Sequence, residues 1–392
     1  MQTYNFDELI TRKDTDSIKW DKFNPKTIPL WVADMDFKSP PCITKSIKQR
    51  LNHEIYGYTH APDKFRENIS LYLHKQYQWE VDPEWIVVLP SVVSALYSIG
   101  INCTNNASHI ITPKPVYHHL RLAAEDSGRS FDEAQLDVIN NRILLTQSSL
   151  LKVVKKNTDL LYFCNPHNPG GTVYNEKELK DIVDFSVKNN ITICSDEIHA
   201  GLVLDDIPHI PIASVSEDAA NQTITLMSLN KTFNFPGTGL AWAVCKNEEL
   251  RKKIKVGIGS LIPEIQIFGY IATQAVMDDG EDWRKALINY LKGNRELLLN
   301  EIDSIPGLAI YQMEASYLGW ISYEKILHQD PFELFLKNGV ALQPGKMFND
   351  NNHVRINIAT PRSNLKEALK RIRHALKDNK SCLLYTSPSP RD

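Results

Sequence analysis

Leu160-Leu-Tyr-Phe-Cys-Asn-Pro-His-Asn-Pro-Gly-Gly171 begins as an unbroken apolar run and ends in a cluster of Asn, Pro and Gly, with the helix-like pattern Glu176–Lys188 behind it. A short apolar run closed by turn residues reads as a buried strand leading into a helix. Ile191-Thr-Ile-Cys-Ser-Asp-Glu-Ile-His199 repeats the pattern with Asp196 at its C-terminal end. Thr223-Ile-Thr-Leu-Met-Ser-Leu-Asn-Lys-Thr-Phe-Asn-Phe-Pro-Gly237 repeats it again, with Ser228 closing the run, Lys231 just beyond it and Pro236-Gly237 turning the chain. Strand-like and helical runs alternate from Leu160 to Val244, which predicts an α/β fold with a parallel sheet covered by helices.

Ligands of open parallel sheets bind outside the carboxyl ends of the strands, so Asn168, Asp196 and Lys231 are expected to meet in one crevice. Singly, each has a plain structural reading: a solvated lysine, and an Asp or Asn capping a strand end. Jointly they match the protein's share of pyridoxal 5′-phosphate chemistry, an Asp for the pyridinium nitrogen and a lysine for the Schiff base. Upstream, Trp85-Ile-Val-Val-Leu-Pro-Ser-Val-Val-Ser-Ala-Leu reads as strand, turn and helix start with Ser91 as N-cap. The Val92 and Val93 amides at that helix start can receive a phosphate. Ile110–Tyr117 reads as a further strand and turn. Beyond Val244, helices are expected at Pro263–Met277 and Trp283–Ser304. The short strands Leu308–Gln312, Tyr317–Ser322, Val340–Leu342 and Val354–Ile358, mixed with helices, then suggest an α+β unit ending in the helix Ser363–Lys377.

The order NPHNPGG, SDEIH, SLNKTFN resembles fold-type-I pyridoxal-phosphate enzymes of the aspartate aminotransferase superfamily. Pro29-Leu-Trp-Val-Ala-Asp-Met-Asp-Phe37, Tyr56-Gly-Tyr58 and Val354-Arg-Ile-Asn-Ile-Ala-Thr-Pro-Arg362 narrow the resemblance to the MalY/PatB type, cystathionine β-lyases or C–S lyases of the class I/II aminotransferase superfamily. The resemblance implies a large domain built on a mostly parallel seven-stranded sheet and a smaller α+β domain. Residues 1–46 form an arm and part of the small domain, 47–284 the cofactor domain and 285–379 the small domain. The aperiodic, Ser/Pro-rich 380–392 reads as non-native or disordered.

By the same resemblance, Lys231 holds the cofactor and removes the substrate Cα proton. Asp196 partners the ring nitrogen, Asn168 the ring's phenolic oxygen, Ser228 the phosphate, and Tyr117 stacks on the ring. Tyr58 crosses a dimer interface to the partner's phosphate, and Arg355 takes the substrate α-carboxylate. Plain structural readings stand beside two of these: a core tyrosine at 117 and a buried tyrosine at 58. His199 either tunes the cofactor oxygen or packs beside it, and Asp34 and Asp36 are caps or turn formers as readily as site residues. An arginine inside an apolar strand needs a partner for its charge.

The implied reaction is α,β-elimination from cystathionine or a related S-substituted cysteine to pyruvate, ammonia and a thiol. An aminotransferase for aromatic or neutral amino acids shares the first steps, and a regulatory protein acting by contact is the third reading. No second arginine stands ready for a side-chain carboxylate, which counts against a dicarboxylate aminotransferase. Three departures bear on the phosphate and substrate pockets: Ser91 for Gly, Thr172 for Arg, and Phe348-Asn-Asp-Asn-Asn-His353 without glycines.

The whole chain narrows the remaining classes. Of 392 residues, 42% are hydrophobic and 23% charged, with net charge −3 and no basic block, so nucleic acid is not an expected partner. The polar, acidic N-terminus has no signal-peptide pattern. Trp85–Cys103, broken by Pro90 and Ser91, does not read as a membrane span. The six cysteines are scattered without a CxxC pair, which fits a reducing cytoplasm. The adjacent His118 and His119 are not expected to bind metal, because neighbouring side chains diverge.

Overall fold

The computed structural model describes residues 4–259, 262–326 and 330–383. Residues 384–392 lie outside this description, and with them most of the expected tail. Residues 380–383 continue the final helix, which runs from Arg362 to Leu383, past the expected end at Lys377. The chain divides into two compact units, one drawn from 38–289 and 312–316, the other from 1–37, 290–311 and 317–392.

The first unit is built on a seven-stranded sheet, here labelled in chain order: β1 Ile86–Leu89, β2 His109–Lys114, β3 Ser130–Gln135, β4 Thr158–Cys164, β5 Thr192–Asp196, β6 Thr223–Met227 and β7 Ala241–Val244. Their spatial order is β1-β7-β6-β5-β4-β2-β3. The pairs β6/β5, β5/β4, β4/β2 and β2/β3 are parallel, whereas β7 runs antiparallel to both its neighbours. The expected mostly parallel seven-stranded sheet is therefore present. Its central strands read as continuous apolar runs because both faces are covered, and β4 and β6 are buried or nearly so at every position.

The helices that cover the sheet carry their own start signals. In Glu176–Lys188, Asn175 accepts from the Glu178 amide while the Glu178 side chain accepts from the Asn175 amide, a reciprocal cap. The same helix buries Leu179, Ile182, Val183 and Ser186, the three- and four-residue spacing of a single face. Val92–Asn102 buries Val92, Ala95, Leu96 and Ile99 against Ile110, Leu160, Tyr162 and Leu226 in one continuous core. Val92, Leu96 and Ile99 each contribute roughly 1.5–3 kcal/mol of burial. One expectation needs correction: the irregular arm does not extend to residue 46, because Pro41–Leu51 is helical. Proline sits at its first position, where a missing N–H costs nothing.

The second unit contains a four-stranded antiparallel sheet in the order Ala309–Ile310, Leu318–Ser322, His353–Asn357, Gln343–Pro344. Ile28–Pro29 of the arm pairs in parallel with Val340–Ala341. The stretch 348–353 closes without glycine because Asn349 adopts a φ of +59°, a left-handed conformation that asparagine tolerates. Among the described residues no helix is long and apolar enough to cross a membrane, and Trp85–Cys103 divides into β1 and the helix Val92–Asn102.

Candidate active site

Strand register brings the sequence-predicted residues of the first unit to one edge. Asp196, the last residue of β5, pairs with Cys164 at the end of β4 and with Leu226 near the end of β6. Asn168 follows Cys164 by one turn, and Ser228 and Lys231 follow Met227 directly. On the far side of β6, Trp242 pairs with Met227 and Ala241 with Leu89, so Ser91 joins the same carboxyl edge. Parallel strands whose ends are in register present their following loops together, which is why residues far apart in sequence share a site.

Asp196 is 3% exposed, and its carboxylate accepts from the Ile198 amide, 3.1 Å away. Burial raises its pKa to about 7, the Ile198 amide lowers it, Glu197 raises it and the charge of Lys231 lowers it. Desolvation thus outweighs the help it receives from its surroundings. A carboxylate in this position is suited to a cationic N–H group, and a protonated pyridine nitrogen is one.

The sign of the pH dependence follows. The folded value lies above the ordinary 3.8, so the stability tied to Asp196 is complete below about pH 4 and is lost as pH rises through about 7. The melting temperature of cofactor-free protein should fall across that window, and Asp196→Asn should flatten the slope. Equal slopes in the two proteins would exclude Asp196 as the cause.

The residues expected to hold a phosphate lie at this same edge. Ser91 accepts from the Ser94 amide at 3.0 Å, capping Val92–Asn102. The Val92 and Val93 amides, as the first of the helix, have no intrahelical acceptors. Ser228 is 4% exposed, donates to the Leu240 carbonyl at 2.6 Å and accepts from the Asn230 amide at 3.3 Å. An N-terminal helix dipole with a nearby hydroxyl suits an anion. Together with Asp196, these residues fit a phosphorylated pyridine.

Tyr117 donates its amide to the Asn168 carbonyl at 2.9 Å, which ties the expected stacking ring to the expected Asn. It is partly buried and packs against the core. Next to it the structure overturns one sequence argument: the rings of His118 and His119 do not diverge but lie 4.3 Å apart, centroid to centroid. Tyr117 touches both, and the Tyr97 hydroxyl reaches His119 Nδ1 at 3.0 Å. His118 and His119 are the first two residues of the helix His118–Asp126, which starts after the Tyr117 N-cap.

Several supporting residues went unread in the sequence. His167 is buried, with a pKa that burial lowers to about 4, and is therefore neutral. Its Nε2 bonds the Pro115 carbonyl at 3.0 Å, and Nδ1 accepts from the Gly170 amide at 3.1 Å, so it ties the Asn168 turn to the Tyr117 turn. A Cβ on Gly170 would come within 2.8 Å of that Nδ1. Beneath Asp196, Glu197 is held by Ser195 Oγ (2.9 Å), His209 Nε2 (2.7 Å) and the Ile212 amide (3.1 Å). Thr172, which stands where an arginine was expected, accepts from the Ile143 amide at 3.2 Å. A guanidinium serves this turn from another strand: Arg142 donates to the Val173 carbonyl at 2.7 Å and pairs with Glu178 and Glu314.

His199 is 2% exposed and occupies the N-cap position of the short helical turn Ala200–Leu202 that follows β5. Tyr58 is fully exposed, at 103%, so the buried-tyrosine alternative is excluded. Arg355 belongs to the second unit, buried to 5% on His353–Asn357. Its Nη2 donates to the Trp31 carbonyl at 3.1 Å, and its Cζ lies 5.0 Å from the Phe348 ring centre.

Residues 25–372 match the model of the family "Aminotransferase class I and II". The chain is 30% identical over 393 residues to cystathionine beta-lyase PatB of Bacillus subtilis, covering 95% of this chain and all of the relative. Among solved structures, OvoB superposes with a TM-score of 0.93 at 37% identity, covering 95% of this chain and 99% of that one. The PLP-bound C-S lyase of Staphylococcus hominis gives 0.87 at 30%, covering 96% and 98%. A family match spanning nearly the whole described chain, on a seven-stranded sheet whose carboxyl edge carries Asp196 and Lys231, establishes that this protein belongs to the class I and II aminotransferase family.

Proposed function

We propose that the chain is a pyridoxal 5′-phosphate-dependent carbon–sulfur β-lyase, which eliminates a thiol from L-cystathionine or a related S-substituted cysteine to leave pyruvate and ammonia. Asp196 carries the reading: a carboxylate 3% exposed, flanked in register by two parallel strands, with Lys231 as its cationic neighbour. The likeness to PatB over 95% of this chain and the whole of that relative supports a lyase, and the S. hominis C-S lyase supports the cofactor.

Bound pyridoxal phosphate supplies a ring that draws electrons from the substrate Cα. Asp196 keeps the proton on the ring nitrogen, Asn168 hydrogen-bonds the phenolic oxygen and Tyr117 covers the ring face. Ser228 with the Val92 and Val93 amides holds the phosphate. Lys231 Nζ anchors the group and takes the proton from Cα, a task that suits an amine whose pKa responds to its surroundings. Arg355 would offer a fork-shaped donor pair to the α-carboxylate, and His199 would tune the cofactor oxygen or pack beside it. Incubation with cystathionine and no keto acid should yield pyruvate and free thiol in equal amounts. Turnover only on addition of a keto acid would instead make the protein an aminotransferase.

A homodimer in the cytoplasm completes the proposal. Ile55, Tyr56 and Tyr58 are 63%, 61% and 103% exposed, a run of large apolar side chains that a partner would cover. Cys42, Cys103, Cys164, Cys194 and Cys245 are unpaired thiols, which suits a reducing compartment. Sedimentation should show a dimer, and Tyr58→Ala should loosen the cofactor in both sites. An active monomer would refute this part.

A further inference from the structure

The N-terminal arm holds a cluster of charges for which the reaction has no direct use. Lys19 is 0% exposed, and its Nζ lies 3.0 Å from Asp36 Oδ2 and 3.4 Å from Asp34 Oδ1. Arg12 bridges the same two carboxylates, with Nη2 2.6 Å from Asp34 Oδ2 and Nη1 2.8 Å from Asp36 Oδ1. The Trp20 indole N–H donates to Asp36 Oδ1 at 2.8 Å. Both carboxylates lie at bends of the chain, and there each is ion-paired to both cations. Burial pulls the Asp34 pKa up, but Arg12 and Lys19 outweigh it and hold the group below its ordinary value.

Two cations and two carboxylates cancel, yet taking all four from water is costly, and apolar residues of similar volume often serve stability as well. The geometry of the cluster shows what it fixes. Lys19 reaches the Asp34 carbonyl at 3.3 Å, and the Lys19 carbonyl accepts from the Trp31 indole at 3.2 Å. The loop Trp31–Asp34 is thus gripped on one side by the charged cluster. On the other side its carbonyls are taken up in turn: Trp31 by Arg355 Nη2 (3.1 Å), Val32 and Asp34 by Asn357 Nδ2 (2.6 Å each), and Ala33 by the Tyr317 hydroxyl (3.1 Å). The Trp31 carbonyl fixes one end of the Arg355 fork while the Phe348 ring lies against the guanidinium. Where Trp31 sits, Arg355 points.

We propose that Arg12 and Lys19, acting through Asp34 and Asp36, are positioning residues that aim the Arg355 guanidinium and so make the arm part of the apparatus that receives the substrate α-carboxylate. The inference rests on the reading of Arg355 as the carboxylate-binding residue. It predicts a selective defect: a misaimed fork weakens every ligand that carries the carboxylate and no ligand that lacks it.

The test compares the cofactor-loaded wild type with Arg12→Gln, Lys19→Met and Arg355→Lys. Each is titrated with an S-alkyl-L-cysteine and with the matching S-alkylcysteamine, which lacks the carboxylate, using the visible band of the cofactor as readout. The arm variants should raise KM for the amino acid about tenfold, equivalent to about 1.4 kcal/mol, with kcat within about threefold and amine binding unchanged. Arg355→Lys should show the same selectivity more strongly. Equal weakening of both ligands, or an unchanged KM in a folded and loaded arm variant, would overturn the proposal. If Arg355→Lys discriminates and the arm variants do not, only the arm's role is lost. If Arg355→Lys does not discriminate, the carboxylate reading fails and the arm proposal with it. Arg12, 24% exposed, tolerates replacement better than Lys19. Should Lys19→Met not fold, Lys19→Met with Asp36→Asn removes one charge of each sign and carries the same expectation.

Discussion

Lys231→Ala is expected to lower the rate of pyruvate release from cystathionine by at least about 10⁴-fold, the upper range for loss of a positioned general base. The loss should exceed that of any other single substitution, because the same amine both anchors the cofactor and moves the Cα proton. Borohydride reduction followed by peptide mapping gives a second readout: wild-type protein should keep the cofactor on the peptide containing Lys231, and the variant should keep none. Retention on a different lysine, or residual elimination near the wild-type rate, would overturn the assignment. The variant should fold normally, since Lys231 follows β6 and lies outside the ladder pairings.

Asp196→Ala is expected to cost about 10²–10³ in kcat, the scale on which removal of one preorganised electrostatic contact acts. Its signature is a pair of opposite effects. Above pH 7 the cofactor-free variant should gain stability, because it no longer buries a carboxylate whose pKa is pushed up to about 7. The loaded variant should nevertheless be slower and should release the cofactor more readily. A variant less stable than wild type at high pH and unchanged in kcat would mean that Asp196 is a strand-end cap. These directions separate a functional carboxylate from a structural one.

The tertiary contacts also bear on the departures from the family pattern. Ser91 in place of glycine keeps the helix start intact, because its hydroxyl caps Ser94 and the amides that follow need no particular side chain. Beside Thr172, the Val173 carbonyl is held by Arg142 from another strand. Asn349 stands in for glycine before the Arg355 strand by taking a positive φ.

Elements whose signals are local are legible in the chain. Glu176–Lys188 appears with its expected bounds because its cap, its first-turn carboxylates and its apolar face all lie within the segment. The strands β4, β5 and β6 are readable because both faces of a central parallel strand are buried, which leaves an unbroken apolar run. The Pro41–Leu51 helix escapes such a reading because the pair Pro40-Pro41 resembles irregular chain, although proline is compatible with a first helical turn. The adjacent imidazoles of His118 and His119 escape it because sequence spacing does not fix rotamers at a helix start.

By itself the sequence determined the α/β class and placed Asn168, Asp196 and Lys231 just at or beyond strand ends, since turn chemistry and hydrophobic periodicity act between near neighbours. Only the tertiary structure decided that Glu197 is held by His209, that His167 ties two turns together, that Tyr58 is fully exposed and that Arg12 and Lys19 share the carboxylates of Asp34 and Asp36. The raised pKa of Asp196 was equally invisible in the chain. Each of these depends on contacts between residues distant in sequence and on the water they exclude, and both are fixed only once strand register and packing have formed.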